Sequence, residues 1–251
     1  MALHWKGLRP GTIKGKLAAL SFYVKANGIK DFSGDFRIKK MLEGWSQESG
    51  MSQDDRIPIS PALLQHLGEL WGSLCRDRYE EAGMFHAAAL MAFFGAMRIS
   101  GLVALGKGDV SRKALQMEDV TVWDGQVRIR LKRSKTDQHG NGSMIILGQC
   151  SMVNICPVKA VSEFVRLRGP DSGYFFQHRD GTPLTKYQFW KLTDMALERI
   201  GIRNMRFGTH SFRIGAASTA ATLGYDADKI KQLGRWSSEC YRKYIRQLPN
   251  V

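Results

Sequence analysis

Apolar residues recur with a helical period over most of the chain and with a two-residue period over one short stretch, and that division predicts the architecture. Ile13, Leu17, Leu20 and Val24 are spaced four, three and four apart, which places them on one face of a first helix. Lys14, Lys16 and Lys25 lie off that face, and Gly28 is its stop. A second short helix is predicted over residues 36–46. The polar run ESGMSQDDRIPISP, with Pro58 and Pro61, reads as a linker near residues 48–60. Ser60-Pro61 then has the form of a helix start, a hydroxyl cap followed by a residue that needs no N–H. Residues 61–78 and 83–96 read as buried helices. Residues 119–123 and 126–131 alternate as strands about Asp124-Gly125, a two-residue hairpin turn, and residues 143–147 form a third strand. Helices are predicted near 157–168, 185–200 and 211–223, with Gly224 and Gly234 as stops and a last helix over 237–246. The chain has no internal repeat. The expected class is mostly α with one small antiparallel β-sheet (α+β), arranged as a helical segment over 1–55 and a larger domain over 56–251.

Composition narrows the function. The chain has 251 residues, 43% hydrophobic and 24% charged, a globular balance that excludes a disordered or collagenous chain. Its longest apolar run, Ala87–Met97, is well short of the roughly 20 residues a bilayer needs, so no membrane partner is expected. The N-terminus lacks the apolar stretch of a secretory signal. Four cysteines without a CxxC pair read as reduced thiols of an intracellular protein. The 37 Lys and Arg against 23 Asp and Glu leave a net charge of +14, which points to a polyanion, nucleic acid above all. The cations cluster: residues 1–47 and residues 203–246 each hold nine Lys/Arg and three acids.

The chemistry-bearing residues are basic. The acid pairs Asp54-Asp55, Glu80-Glu81 and Asp226-x-Asp228 read as solvated faces, without the convergent carboxylates of a two-metal nuclease. No HExxH, phosphate loop, GxGxxG or GxSxG element is present, so no metal or nucleotide cofactor is expected. His210-Ser211-Phe212-Arg213 sets an imidazole and a guanidinium three apart on the first turn of a helix, where backbone N–H groups favour an anion. The plainer reading is a helix cap and a surface ion pair. Arg98 interrupts the apolar run AALMAFFGAM, where a buried cation needs a partner or a ligand. Lys135 lies in KRSKTD just beyond a strand, either a solvated hairpin tip or a reach into a groove. The C-terminal run LGRWSSECYRKYIR puts Tyr241 and Tyr244 among cations, a setting that favours a phenol's anion.

In order along the chain, GAMRISGL, RSKTDQ, HSFRIGAAS and LGRWSSECYRKYIR resemble the motifs of the tyrosine recombinase (integrase) family, over about residues 56–247. The last box, with CPVKAV at 156–161, looks closest to recombinases of DIRS-like, Ngaro and Crypton mobile elements. The resemblance implies that Tyr244 attacks a phosphodiester of double-stranded DNA to give a 3′-phosphotyrosyl link. It makes Arg98 and Arg213 the grip on the non-bridging oxygens, Lys135 the donor to the leaving 5′ oxygen, His210 a proton acceptor or donor, and Trp236 a donor to phosphate. It implies no cofactor and a homo-oligomer, a dimer on a site and a tetramer in synapsis. The compartment would be the nucleus for a eukaryotic element and the cytoplasm otherwise. The segment over 1–55 would be a shortened form of the family's DNA-clamping domain. Three departures stand out. Gly101 replaces the usual acid after the first arginine, Trp236 is one residue closer to Tyr244 than in many members, which keeps Tyr241 as a rival nucleophile, and seven residues follow Tyr244. Two other readings fit these residues, a catalytically silent DNA-binding derivative and a relaxing enzyme of the type IB topoisomerase class.

Overall fold

The computed structural model describes residues 6–49, 54–76, 78–109, 111, 113–132, 142–202 and 205–249. They divide into two compact units, Met1–Asp55 and Arg56–Val251.

In the first unit, α1 (Pro10–Ala26) packs on α2 (Phe36–Glu48). Ile13 and Leu42 are buried between them, with Leu17 and Val24 half-buried. Leu20, expected on the apolar stripe, is 56% exposed. Ser21 occupies the inward position instead, because its hydroxyl donates to Asp31 at 2.7 Å. Asp31 also accepts from the Ser33 backbone N–H and pairs with Lys25, and these contacts, the Ser21 bond foremost, hold its carboxyl well below the usual range.

The second unit is helical around a three-stranded sheet. Ser60 caps α3 (Pro61–Leu74), its hydroxyl accepting from the Leu63 N–H, with Pro61 in the first turn as the sequence predicts. Helix α4 (Tyr79–Phe94) begins four residues before its predicted start, and α3 stops at Leu74 rather than 78. Residues 84–93 of α4 are buried on nearly every side, so it is the central helix. A short turn, α5 (Ile99–Leu102), follows it. The strands β1 (Val120–Trp123), β2 (Gln126–Leu131) and β3 (Ser143–Leu147) pair antiparallel in that order. Asp124 and Gly125 make the connecting turn, with φ of 49° and 67°. The sheet's inner residues Val127, Ile129, Ile145 and Leu147 join the main core. Helices α6 (Pro157–Arg168), α7 (Lys186–Arg199), α8 (Ser211–Thr222) and α9 (Ala227–Gly234) complete the unit. The predicted last helix is instead a 3₁₀ segment, Glu239–Tyr244.

Aromatic packing fixes α8 relative to the rest. Trp71 of α3, Phe85 of α4, Phe189 of α7 and Phe212 of α8 form one buried group with ring centroids 5.5–6.4 Å apart between neighbours. Burying each such ring contributes about 1.5–3 kcal/mol, so the helix that carries His210 and Arg213 is anchored by the residue between them. Glu80 and Glu81, expected on a solvated face, are both engaged: Glu80 pairs with Arg179, and Glu81 accepts from His178 at 2.7 Å.

Helix α8 also accepts a strand-like neighbour. The Ile59 N–H donates to the Ser211 carbonyl, and a Cβ on Gly215 would lie 2.0 Å from the Ile59 carbonyl oxygen. Gly215→Ala is expected to destabilise the chain by about 1–3 kcal/mol, the usual cost of overpacking. Gly72→Ala, also helical but with open space about it, should be neutral or slightly stabilising. Urea denaturation of the two variants checks both.

Candidate active site

Three arginines from distant parts of the chain meet at the ends of α4, α8 and α9. Arg213 lies in the first turn of α8 and is 3% exposed. Its guanidinium donates to the Ala96 carbonyl and, at 2.6 Å, to that of Gly234. Arg235 follows α9 and donates to the carbonyls of Gly95 (3.0 Å), Ala96 (3.3 Å) and Leu233 (3.3 Å). Arg98 is half-buried at the start of α5, just beyond α4 rather than within it. It is close enough to both to disfavour their charge. Burial first, and Arg98 next, bring Arg213 and Arg235 each down to about 10. Among the described residues, no carboxylate pairs with any of the three, and none takes up the role left by Gly101.

Tyr244 is brought to this cluster within the same chain. Its ring packs against Trp236 at a tilt of 44° with centroids 4.9 Å apart, and the Arg213 guanidinium lies 4.2 Å from the Trp236 ring and 5.4 Å from the Tyr244 ring. The Tyr244 hydroxyl interacts with Arg213 and favours its charged form. Trp236 is seated because Gly234 has no side chain: a Cβ there would lie 1.8 Å from the indole. Two buried donors, the Arg213 Nε–H and the Trp236 Nε1–H, have no hydrogen-bond partner among the described residues. Cations, unpartnered N–H groups and a helix N-terminus together can hold the oxygens of a phosphate.

The Tyr244 segment is tied down on both sides of the tyrosine. Buried Ser218 of α8 donates its hydroxyl to the Tyr244 carbonyl at 3.1 Å and accepts from the Arg246 N–H at 3.0 Å. The Arg246 guanidinium donates to the Arg56 carbonyl. Tyr241, one 3₁₀ turn earlier, is the more buried of the two tyrosines. It is 5% exposed and packs with Ala217, Ala220 and Ile230, with the Lys231 ammonium 5.5 Å from its ring.

His210 is half-buried at the N-cap of α8, with its ring not serving as the cap. An open groove of about 450 Å³ borders its neighbours Gly208 and Thr209, lined by Arg56, Lys186, Tyr187 and Trp190. Lys135 lies outside the described residues. The nearest described cation, Lys132, is bound to Glu118 at 2.5 Å and to Asp119 at 3.2 Å. Five of the six predicted site residues are therefore placed. Of these, Arg98, Arg213, Trp236 and Tyr244 share one cluster, and His210 starts the helix that carries Arg213. Arg235 is the member that sequence reasoning missed. Its signal was a non-glycine residue at a helix end beside Trp236.

The family model described as the phage integrase family matches residues 77–249. The chain belongs to that family, the tyrosine recombinases. It is 26% identical, over 95% of its own length and 69% of the other's, to an integrase/recombinase xerD homolog of Selenomonas ruminantium. Among solved structures, it is similar to the XerH site-specific recombinase bound to its palindromic difH substrate, with a TM-score of 0.63 and 16% identity over 97% of this chain and 65% of that one. The Tn1549 transposon integrase in complex with circular intermediate DNA gives a TM-score of 0.55 and 13% identity over 99% and 79%. XerA recombinase gives 0.55 and 14% over 98% and 82%.

Ser218→Ala removes both ties at once. Hydrogen exchange at the Arg246 amide is expected to accelerate about five- to tenfold, since each lost bond is worth about 1 kcal/mol. Exchange in α4 should stay unchanged.

Proposed function

We propose that this chain cleaves and rejoins double-stranded DNA through a 3′-phosphotyrosyl intermediate, as a site-specific recombinase or integrase. The observation that carries the reading is the seat of Tyr244 against Trp236 and 5.4 Å from the Arg213 guanidinium in its own chain. The Tyr244 oxygen attacks the scissile phosphorus, and the bond to the 5′ oxygen breaks. The DNA 3′ end stays on the tyrosine, and the leaving oxygen takes a proton and departs as a 5′-hydroxyl. Attack by a 5′-hydroxyl from the same or another duplex reverses the step and frees the tyrosine, so the energy of the broken bond is conserved.

Each side chain has a physical task. Arg98 and Arg213 stabilise the charge on the non-bridging oxygens of the transition state, where a planar fork suits two oxygens. Lys135, between β2 and β3 in the sequence, gives the proton to the leaving 5′ oxygen. His210 accepts or returns a proton near neutral pH. The Trp236 indole donates to phosphate and, as a donor only, is not a base. Tyr241 is assigned to packing, because its ring lies in an apolar cluster. No metal or nucleotide enters these steps. The groove lined by Arg56, Lys186, Tyr187 and Trp190 is proposed to carry the DNA backbone beside the site. The helical unit at 1–55 is proposed to clamp the duplex, and a dimer on each site and a tetramer in synapsis to assemble there. The wording LGRWSSECYRKYIR supports an origin in a eukaryotic DIRS-like, Ngaro or Crypton element and hence action in the nucleus.

Tyr244→Phe is expected to abolish the covalent protein–DNA adduct on a nicked duplex in EDTA, seen on a denaturing gel, while leaving binding within about twofold. An adduct that persists, or maps to Tyr241, overturns the assignment. Duplex affinity should fall with salt by a log–log slope of about −0.9 for each phosphate neutralised. A flat titration between about 50 and 200 mM salt would remove the backbone contacts from the proposal.

A further inference from the structure

We propose that Arg235 is a positioning residue for Arg98: its guanidinium clamps the Gly95–Ala96 turn from which Arg98 extends toward the scissile phosphate. The inference rests on the recombinase reading above and adds a residue to it.

The backbone makes the first part of the case. Helix α9 ends with the Arg235 N–H bonded to the Gln232 carbonyl and the Trp236 N–H to that of Lys231. This closure puts Arg235 in the left-handed region, at φ 55° and ψ 45°. Glycine is the usual residue there, and any side chain costs about 1–2 kcal/mol. Nothing in the closure itself calls for arginine, so the reason lies in what the side chain reaches.

It reaches a second helix end with the same strain. Helix α4 closes with the Met97 N–H on the Ala92 carbonyl and Ala96 at φ 42°, again left-handed without being glycine. Arg235 spans this turn, one nitrogen on the Gly95 carbonyl and another on that of Ala96. Arg213 also donates to the Ala96 carbonyl. Arg98 leaves the chain two residues later. A fork of two nitrogens fixes both carbonyls at once, which a single ammonium does not. Arg235 thus spends its donors on the backbone beneath Arg98, whereas Arg98 itself has no hydrogen-bond or ion-pair partner for its side chain among the described residues. One arginine is oriented by the other and left free for the substrate. A shift of about 1 Å in such a group can lower a rate a hundredfold.

The test is a double-mutant cycle on the full chain, read as single-turnover cleavage of a nicked duplex at saturating DNA. Arg235→Lys keeps the charge and loses the fork. It is expected to cut at least about tenfold more slowly than wild type, with DNA affinity within about twofold. Arg98→Lys combined with Arg235→Lys should cut no more slowly than Arg98→Lys alone. Arg235→Gly suits the left-handed backbone, so its melting temperature should hold while its cleavage falls. A Lys variant with the wild-type rate overturns the proposal. So does a double variant whose losses multiply, which would make Arg235 act independently of Arg98. The cycle is repeated on DNA with a neutral methylphosphonate at the scissile position, which relieves the demand on Arg98. There the Lys variant should match wild type, and a persisting defect overturns the proposal. A wild-type chain that forms no tyrosine adduct would instead overturn the recombinase reading itself.

Discussion

Burying a guanidinium without a carboxylate costs several kcal/mol unless other groups replace the lost water. Here the replacement comes from the C-terminal ends of two helices. Gly95 and Ala96 at the end of α4, and Leu233 and Gly234 at the end of α9, offer carbonyls that have no partner within their own helix. Those carbonyls also sit at the negative end of each helix dipole, which favours a nearby cation. The choice of carbonyls over carboxylates has a consequence for charge. A carboxylate would hold an arginine in place and cancel its charge. A carbonyl holds it and leaves the charge for an anion to meet. Arg213 is buried and Arg235 half-buried on these terms, and the cluster keeps its positive field.

The same constraint shapes what surrounds the cluster. Two helix ends, a third helix and a tryptophan must come within hydrogen-bond range of one another, which requires small residues where backbones meet. Helix α8 supplies them in Gly215, Ala216, Ala217, Ser218 and Ala220, all buried. Gly215 admits the Ile59 backbone, and Ser218 admits the backbone on both sides of Tyr244. Gly234 admits the Trp236 ring. Helix α8 is therefore both the source of Arg213 and the surface on which the tyrosine segment rests.

Much of this was legible in the sequence, and the reasons for the rest are local. Caps announce themselves, so Ser60-Pro61 located α3, and Asp124-Gly125 located the hairpin. Ordered motifs named Arg98, Arg213, Trp236 and Tyr244, which the fold gathers into one cluster, and His210, which starts the helix that carries Arg213. Periodicity misjudged Leu20, since a hydrogen bond from Ser21 to Asp31 turned the stripe by one residue. Glu80 and Glu81, lacking any supporting motif, read as a solvated face, because their partners Arg179 and His178 arrive from nearly 100 residues away. Arg235 was missed for a further reason. Its left-handed conformation belongs to a helix closure, and its partners lie on a turn some 140 residues earlier in the chain.

The last segment shows why a helical pattern there gave the wrong helix. Tyr241 and Tyr244 are three residues apart. In an α-helix that spacing leaves two side chains about 60° out of line, whereas three residues per turn in a 3₁₀ helix stack them on one face. Tyr241 packs into the cluster of Ala217, Ala220 and Ile230, and Tyr244 continues the same face onto Trp236 and Arg213. Arg242 and Lys243, on the remaining faces, stay exposed. The tighter winding is the one that serves both tyrosines, because it lets the buried ring anchor the other against the cations. An α-helical turn over the same residues would rotate one of the two rings off its support. Packing against α8 therefore decides the local conformation here, and the position of Tyr244 follows from where Tyr241 is buried.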